Sequence, residues 1–129
     1  MSPNIVKLVQ NDWSAAMLTD AIKARKAVVN AMWRLMERFD FIITPTTTDL
    51  PPPADRPECA EDFVRPLPLF TCIANMTGQP DASLPAGWSR AGLPLGLQII
   101  GRHLADDDVL AACAAFERAR PWHDRWPVT

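Results

Sequence analysis

The 129-residue sequence predicts one α/β domain, in which helical segments alternate with short apolar strands. Residues 13–39 carry apolar side chains at three- and four-residue steps, which is the period of a helix. Phe41–Ile43 and Leu95–Ile100 are short apolar runs rich in strand-forming residues. The expected order is helix, strand, long loop, helix, strand, strand, helix, and the pattern leaves the relative directions of the strands open.

The first helix should begin near Trp13, with Asn11 or Asp12 as its N-cap. A long amphipathic helix usually packs on the protein's own sheet, so we expect that arrangement in preference to a membrane surface. The predicted apolar face consists of Trp13, Met17, Ala21, Ala24, Val28, Ala31, Leu35 and Phe39.

The run Phe41–Ile43 is apolar on both faces, which predicts a strand covered by helices on each side. It ends at Thr44-Pro45, and seven of the thirteen prolines lie between Pro45 and Pro68. Residues 45–62 therefore form an irregular segment, and long irregular segments are often functional. A lid or pocket wall and a passive surface loop are both open interpretations of this segment.

The second helix is expected over Phe63–Met76, mainly from Leu69 onward, because prolines before that point suit a first turn. Gly78 stands where a glycine commonly ends a helix in the left-handed conformation. Pro80 follows and cannot continue the helix.

Asp81–Pro85 is expected to be extended, and Gly87–Gly92 should be a hairpin-like connection into the strand Leu95–Ile100. Gly96 lies inside that strand. A glycine there puts no side chain on its face, which allows close approach of a neighbouring backbone or helix.

The last helix should begin with three aspartates, because Asp106 is a good N-cap and carboxylates favour the positive end of a helix. Pro121 should stop it. Its predicted apolar face consists of Val109, Ala112, Cys113 and Phe116.

Composition excludes several classes of function. The formal net charge of −2 gives no basic excess for nucleic acid or an anionic membrane. No apolar run of about eighteen residues is present, and the N-terminus lacks the pattern of a signal peptide. Cys59, Cys72 and Cys113 are widely spaced, which indicates free thiols, a cytoplasmic location and no zinc site.

Common catalytic motifs are missing as well. The sequence has neither a glycine-rich phosphate loop nor a GxSxG turn, so we expect no cofactor. His103 precedes the three aspartates, but helix capping already explains those carboxylates and we expect no metal. A triad could be drawn from Ser83 or Ser89 with a histidine, but no spacing supports it.

Threonine hydroxyls cluster between Thr44 and Thr48, directly after the first predicted strand. The ends of strands are where α/β sheets place ligands. Threonines before a proline-rich loop also commonly satisfy local backbone groups. Contact with a ligand pocket and a local structural role are therefore both retained.

Two stretches carry a family resemblance: residues 39–45 (FDFIITP) and residues 75–102 (NMTGQPDASLPAGWSRAGLPLGLQIIGR). They contain a strand ending in Thr-Pro, then Asn-x-x-Gly-x-Pro, Leu-Pro-x-Gly and Gly-Leu-Pro-x-Gly-Leu-Gln in that order. In this pattern the chain resembles the amidase signature family, from about Ser2 onward. The resemblance implies the C-terminal part of that family's fold, a mixed sheet flanked by helices, with residues 1–129 as a single partial domain.

The resemblance also implies hydrolysis of carboxamide C–N bonds by a Ser–cis-Ser–Lys triad. The chain has no Gly-Gly-Ser-Ser-like segment, and its three lysines lie in or before the first helix, so no catalytic residue is carried over. The resemblance places Thr46, Thr47, Leu69 and Phe70 on the wall of the substrate pocket. Where glutamine-using relatives have an acidic residue, this chain has Pro68, which favours a less polar amide.

Three hypotheses follow from this combination. The chain is the C-terminal part of an amidase, inactive alone, which needs an N-terminal catalytic half and takes a small amide only in the complete enzyme. Alternatively, it is a non-catalytic interaction module that forms a homodimer or completes a separate catalytic chain. A third, weaker hypothesis is amide hydrolysis with Ser83 or a cysteine such as Cys72 as nucleophile.

Overall fold

The computed structural model describes residues 10–51 and 69–122, together with Val6. The predicted helical turns before Leu69, most of the proline-rich segment and the C-terminal tail lie outside the described residues. The α/β prediction is confirmed. The elements are α1 (Ala15–Met36), β1 (Ile42–Pro45), α2 (Leu69–Thr77), β2 (Asp81–Trp88), β3 (Pro94–Ile100) and α3 (Asp106–Ala119).

The three strands form an antiparallel sheet in the order β1-β3-β2. Ile42 lies opposite Ile100, and Pro45 lies opposite Leu97. The structure thus settles the strand directions that the sequence left open. β2 is longer than expected, because it continues past Pro85 through an irregularity in the pairing and reaches Trp88.

A tight turn joins β2 to β3, as the glycine pattern predicted. The Ser89 amide donates to the Leu93 carbonyl at 2.8 Å, and the Ser89 hydroxyl accepts from the Leu93 amide at 3.0 Å. Gly92 takes a φ of 77°, a conformation that glycine adopts without steric cost.

Helices pack on both faces of the sheet. Met32 and Met36 of α1 and Ala74 of α2 form the buried core with Ile100. Ile99 points to the other face by the alternation of a strand and is also buried. On that side α3 contacts β2 and β3, and its Val109 is buried.

The predicted apolar face of α1 is wrong. Its members are exposed: Trp13 by 59%, Met17 by 50% and Leu35 by 41%. The residues that face the core are Met32 and Met36, one position further along the helix. A helical period identifies an amphipathic helix, but α1 is apolar on more than one side, so the period does not select the side that is covered.

The predicted cap of α1 is also wrong. Ser14 is the N-cap, and its hydroxyl accepts a hydrogen bond from the Met17 amide at 3.2 Å. Asn11 and Asp12 lie before it. The choice between several capping residues in a row depends on where the helical backbone begins, which composition does not fix.

The other elements differ in smaller ways. Ile43 is 62% exposed. The described residues therefore cover β1 on one face only, whereas coverage on both faces had been expected. Gly78 ends α2 with a φ of 77° and donates its amide to the Ala74 carbonyl, which confirms its predicted role. Asp106 is the first residue of α3 and not its cap, a position taken by Ala105.

The apolar face of α3 is confirmed, since Val109 is buried and Ala112, Cys113 and Phe116 are half-buried. Within the described ranges, no helix has the length and apolar character needed to cross a membrane.

Candidate functional site: a pocket wall on the sheet

A cavity of about 730 Å³ lies where β1 ends. One wall is the segment that follows β1, represented by Thr47, Thr48 and Leu50. The start of β3, including Leu95, and Phe70 of α2 also line the cavity. The lining combines apolar side chains with a few hydroxyl groups, which is typical of a site for a small organic ligand.

The four predicted pocket residues separate into two groups. Thr47 and Phe70 line the cavity. Thr46 and Leu69 lie outside this lining: the Thr46 hydroxyl turns to Ser83, and Leu69 is 48% exposed at the start of α2. Contact between any of the four and a substrate stays a prediction.

Local hydrogen bonds shape the wall after β1. The Thr46 amide donates to the Gly96 carbonyl at 3.0 Å and so extends the pairing with β3 by one residue. Thr47 then donates its hydroxyl to the Asp49 carbonyl at 2.9 Å, and the Asp49 carboxylate accepts from the Leu50 amide at 2.8 Å. Such side-chain contacts to nearby backbone are characteristic of turns.

A glycine allows Thr46 to reach across the sheet. The Thr46 hydroxyl lies 2.5 Å from the Ser83 hydroxyl on β2, although β3 runs between the two strands. A Cβ atom on Gly96 would stand 2.5 Å from Thr46 Oγ1. Gly96 does allow a close approach, but the approaching groups are the side chains of Thr46 and Ser83 and not the backbone or helix that had been expected.

Gln98 is the polar residue at this site that the sequence analysis missed. It is fully buried within β3. Its Oε1 accepts from the Thr44 hydroxyl at 3.2 Å, and its Nε2 donates to the Asp81 carboxylate at 2.5 Å. The available signal was a glutamine in the otherwise apolar run Leu95–Ile100, since a buried amide needs hydrogen-bond partners.

The described serines all have structural partners and are not arranged as nucleophiles. Ser14 caps α1, Ser83 bonds to Thr46 and Ser89 holds the turn. His103 places Nδ1 3.0 Å from the Gly78 carbonyl and packs its ring on Trp33. In residues 10–51 and 69–122, therefore, no histidine bonds to a serine as a general base would.

The described thiols do not fit a nucleophile either. Burial raises the pKa of the Cys113 thiol, whereas a reactive cysteine needs a lowered pKa. Cys72 is exposed on α2, and neither thiol lines the cavity. The described side chains also contain no group of three or more histidine, cysteine or carboxylate residues that could hold a metal.

The family model for the Amidase family matches residues 4–110. The chain belongs to the amidase family. This match confirms the resemblance inferred from residues 39–45 and 75–102, both of which lie inside the matched range. The helices and strands that form the cavity wall are therefore parts of an amidase fold.

Individual amidase relatives agree with this assignment. The chain is 37% identical over 113 residues to a glutamyl-tRNA(Gln) amidotransferase subunit of Thermodesulfovibrio yellowstonii, covering 84% of this chain and 22% of that protein. Its fold matches a bacterial aryl acylamidase of the amidase signature enzymes with a TM-score of 0.76 and 31% identity, covering 96% of this chain and 27% of the other. It also matches 6-aminohexanoate cyclic dimer hydrolase in complex with substrate, with a TM-score of 0.75 and 27% identity over 88% of this chain and 26% of the other.

All of these amidase relatives are much longer proteins. The chain spans about a fifth to a quarter of their length. The cavity wall therefore corresponds to only part of the structure of an amidase of that length.

Proposed function

We propose that this chain is the C-terminal part of an amidase and supplies one wall of its substrate pocket, while the catalytic Ser–cis-Ser–Lys triad comes from an N-terminal part. The cavity beside β1 carries this proposal. Its walls offer apolar surface and hydroxyl groups, but within the described residues no activated nucleophile stands in it. On this proposal the chain alone is inactive and works in the cytoplasm, where its free thiols stay reduced.

The lining favours an amide with an apolar substituent. Phe70 and Leu95 supply flat or branched apolar surface, and Thr47 supplies a hydroxyl for orientation. The related aryl acylamidase, whose name specifies an aryl group and an amide, supports this choice. In the complete enzyme, Phe70 would contact the apolar part of the amide and Thr47 its polar part.

Reconstitution tests the proposal. This chain is co-expressed with the N-terminal three-quarters of the related aryl acylamidase, and hydrolysis of a simple aryl amide is measured for each part and for the pair. We expect turnover only from the pair. Turnover by the isolated chain, abolished by Ser83→Ala or Cys72→Ala, would instead establish the alternative nucleophile.

Two variants then locate the substrate. Phe70→Ala should raise KM for the aryl amide about tenfold, because a buried aromatic contact is lost. The matched control is Leu104→Ala, a change at a side chain that is 81% exposed and outside the cavity lining. Equal KM values for the two variants would exclude Phe70 from the pocket wall.

Exposed apolar side chains favour a second candidate function, that of an interaction module which forms a homodimer. Leu18 and Ile22, which lie four residues apart on one side of α1, are 61% and 59% exposed. Neighbouring exposed apolar side chains often mark an interface. Light scattering over a concentration series tests it: a concentration-dependent dimer that Leu18→Lys weakens supports self-association, and a monomer at every concentration rejects it.

A further inference from the structure

The buried amide of Gln98 joins two strands that are not neighbours. β1 and β2 lie on opposite sides of β3. Gln98 on β3 accepts from Thr44 of β1 and donates to Asp81 of β2, at 3.2 and 2.5 Å. A continuous hydrogen-bonded chain therefore crosses the whole described sheet through one side chain.

These contacts give a hydrogen-bond partner to both the oxygen and the nitrogen of the Gln98 amide. An amide that is fully removed from water destabilises the fold unless its oxygen and nitrogen both find partners. Here the oxygen meets a hydroxyl and the nitrogen meets a carboxylate, and bonds to charged acceptors are the stronger kind. The position of Thr44 is accordingly coupled to that of Asp81.

A second link runs parallel to the first, two residues along β1. There the Thr46 and Ser83 hydroxyls meet across the gap that Gly96 leaves. β1 has only four residues, all of them paired with β3, and the Thr46 amide adds one further backbone bond to Gly96. The two side-chain links add to this pairing and also connect the strand to β2.

The strand that these links hold is the one that leads into the pocket wall. Thr44 lines the cavity, and Thr47 and Leu50 follow it on the same wall. Leu95, which also lines the cavity, is part of β3 itself. The separation of these two parts of the lining thus depends on how firmly the end of β1 is held to β3.

We propose that Gln98 is a positioning residue, which fixes the wall from Thr44 to Leu50 against the wall at Leu95 and so sets the fit of the amide substrate. Gln98 acts through Thr44 and touches no substrate. The effect of Gln98 on catalysis rests on the proposed function. Its effect on the position of the wall can be measured in the isolated chain.

Amide hydrogen exchange tests the structural part. The reporter is the Thr46 amide, which bonds to Gly96 at the start of the wall, and the reference is the Gly101 amide, which bonds to Pro80 at the other end of β3. In Gln98→Met the Thr46 amide should exchange about tenfold faster relative to the Gly101 amide, because the wall is released locally. Equal acceleration at both amides would mean general destabilisation and would overturn the proposal.

Gln79 provides a matched control. It is also a buried glutamine, exposed by 6%, and it accepts a hydrogen bond from Thr77, away from β1. Gln79→Met should leave Thr46 exchange unchanged. An equal effect of the two glutamine variants on Thr46 would overturn the assignment to Gln98.

A second pair of variants covers the case in which Gln98→Met does not fold. Thr44→Val removes the hydroxyl at similar volume, and Thr44→Ser keeps it. We expect faster Thr46 exchange in the valine variant and near-normal exchange in the serine variant. Normal exchange in Thr44→Val would show that the Gln98 link does not hold the wall.

Kinetics of the reconstituted enzyme test the functional part. Gln98→Met should raise KM for the aryl amide about fivefold to tenfold with little change in kcat, since substrate fit changes and the catalytic groups do not. Gln79→Met should leave both constants unchanged. If reconstitution yields no activity, the proposed function fails, while the exchange experiment still decides the structural role of Gln98. Equal kinetic changes in Gln98→Met and Gln79→Met would overturn the proposed effect of Gln98 on substrate fit.

Discussion

Substitution of Gly96 by alanine tests the packing on which the pocket wall depends. A Cβ atom at this position would lie 2.5 Å from Thr46 Oγ1, 2.9 Å from Thr46 Cβ and 3.3 Å from Ser83 Oγ. Two of these contacts are shorter than any ordinary contact of a Cβ atom. Because both approaching groups belong to neighbouring strands of the same sheet, neither can move without shifting a strand or losing the hydroxyl pair.

The expected loss of stability follows from these contacts. Forcing an additional methyl group into a packed site usually costs about 1–3 kcal/mol. Separation of the Thr46 and Ser83 hydroxyls would add about 1 kcal/mol. We therefore expect Gly96→Ala to lower the free energy of unfolding by about 2–4 kcal/mol. With a urea m-value of about 2 kcal/mol/M, the midpoint should fall by about 1–2 M.

Urea unfolding of Gly96→Ala and Gly87→Ala measures the effect against a matched control. Among the described residues, no atom lies within 4 Å of a Cβ built on Gly87, so that variant should remain within about 0.5 kcal/mol of the parent. In a Thr46→Ala background, which removes the closest contact, the cost of Gly96→Ala should fall by at least about 1 kcal/mol. If Gly96→Ala proves as mild as Gly87→Ala, the close approach of the three strands is refuted.

Three further predictions concern the helices and thiols. Ser14→Ala should lower the free energy of unfolding by about 1 kcal/mol and Asp12→Ala by much less, because Ser14 caps α1; equal losses in thermal or urea unfolding would contradict this. Gly78→Ala should lower the free energy of unfolding by about 1–2 kcal/mol in the same assay because φ is 77°, and Gly78→Asn should lower it less. An alanine variant as stable as the parent would be inconsistent with that backbone conformation. Iodoacetamide at pH 8 should modify Cys72 faster than Cys113 by mass spectrometry, since Cys72 is exposed, whereas Cys113 is half-buried and burial raises the pKa of its thiol; faster modification of Cys113 would contradict this.

Much of the fold could be predicted because it depends on local chemistry. The glycine at position 78 and the apolar run Leu95–Ile100 both act within a few residues, and the expected helix end and strand are both present in the structure. The close approach at Gly96 was predictable because a strand glycine carries no side chain, but the sequence did not show that the approaching groups are the side chains of Thr46 and Ser83.

The features that could not be predicted depend on tertiary placement. Which side of α1 is buried depends on where α2 and the sheet meet it. Apolar residues recur with the helical period on the exposed side as well as on the buried side, so the period does not distinguish the two. The side chains around the cavity also depend on tertiary placement. Thr47 and Phe70 line the cavity, whereas Thr46 turns to Ser83, a residue 37 positions away that the order β1-β3-β2 brings close. Contact of any of these residues with a substrate stays a prediction.

The contacts that hold the pocket wall thus come from parts of the chain that are distant in sequence. Thr44 and Gln98 are 54 positions apart, and Gln98 and Asp81 are 17 apart. None of the three is a nucleophile or a general base in the described structure, and yet together they fix where the wall after β1 stands relative to β3. On the proposed function, these three residues would help to determine which amide fits, because catalysis requires the substrate to be held to within fractions of an ångström. It follows that substitutions at Gln98, Thr44 and Asp81 should change substrate preference in a complete amidase, whereas changes on the exposed face of α3 should not.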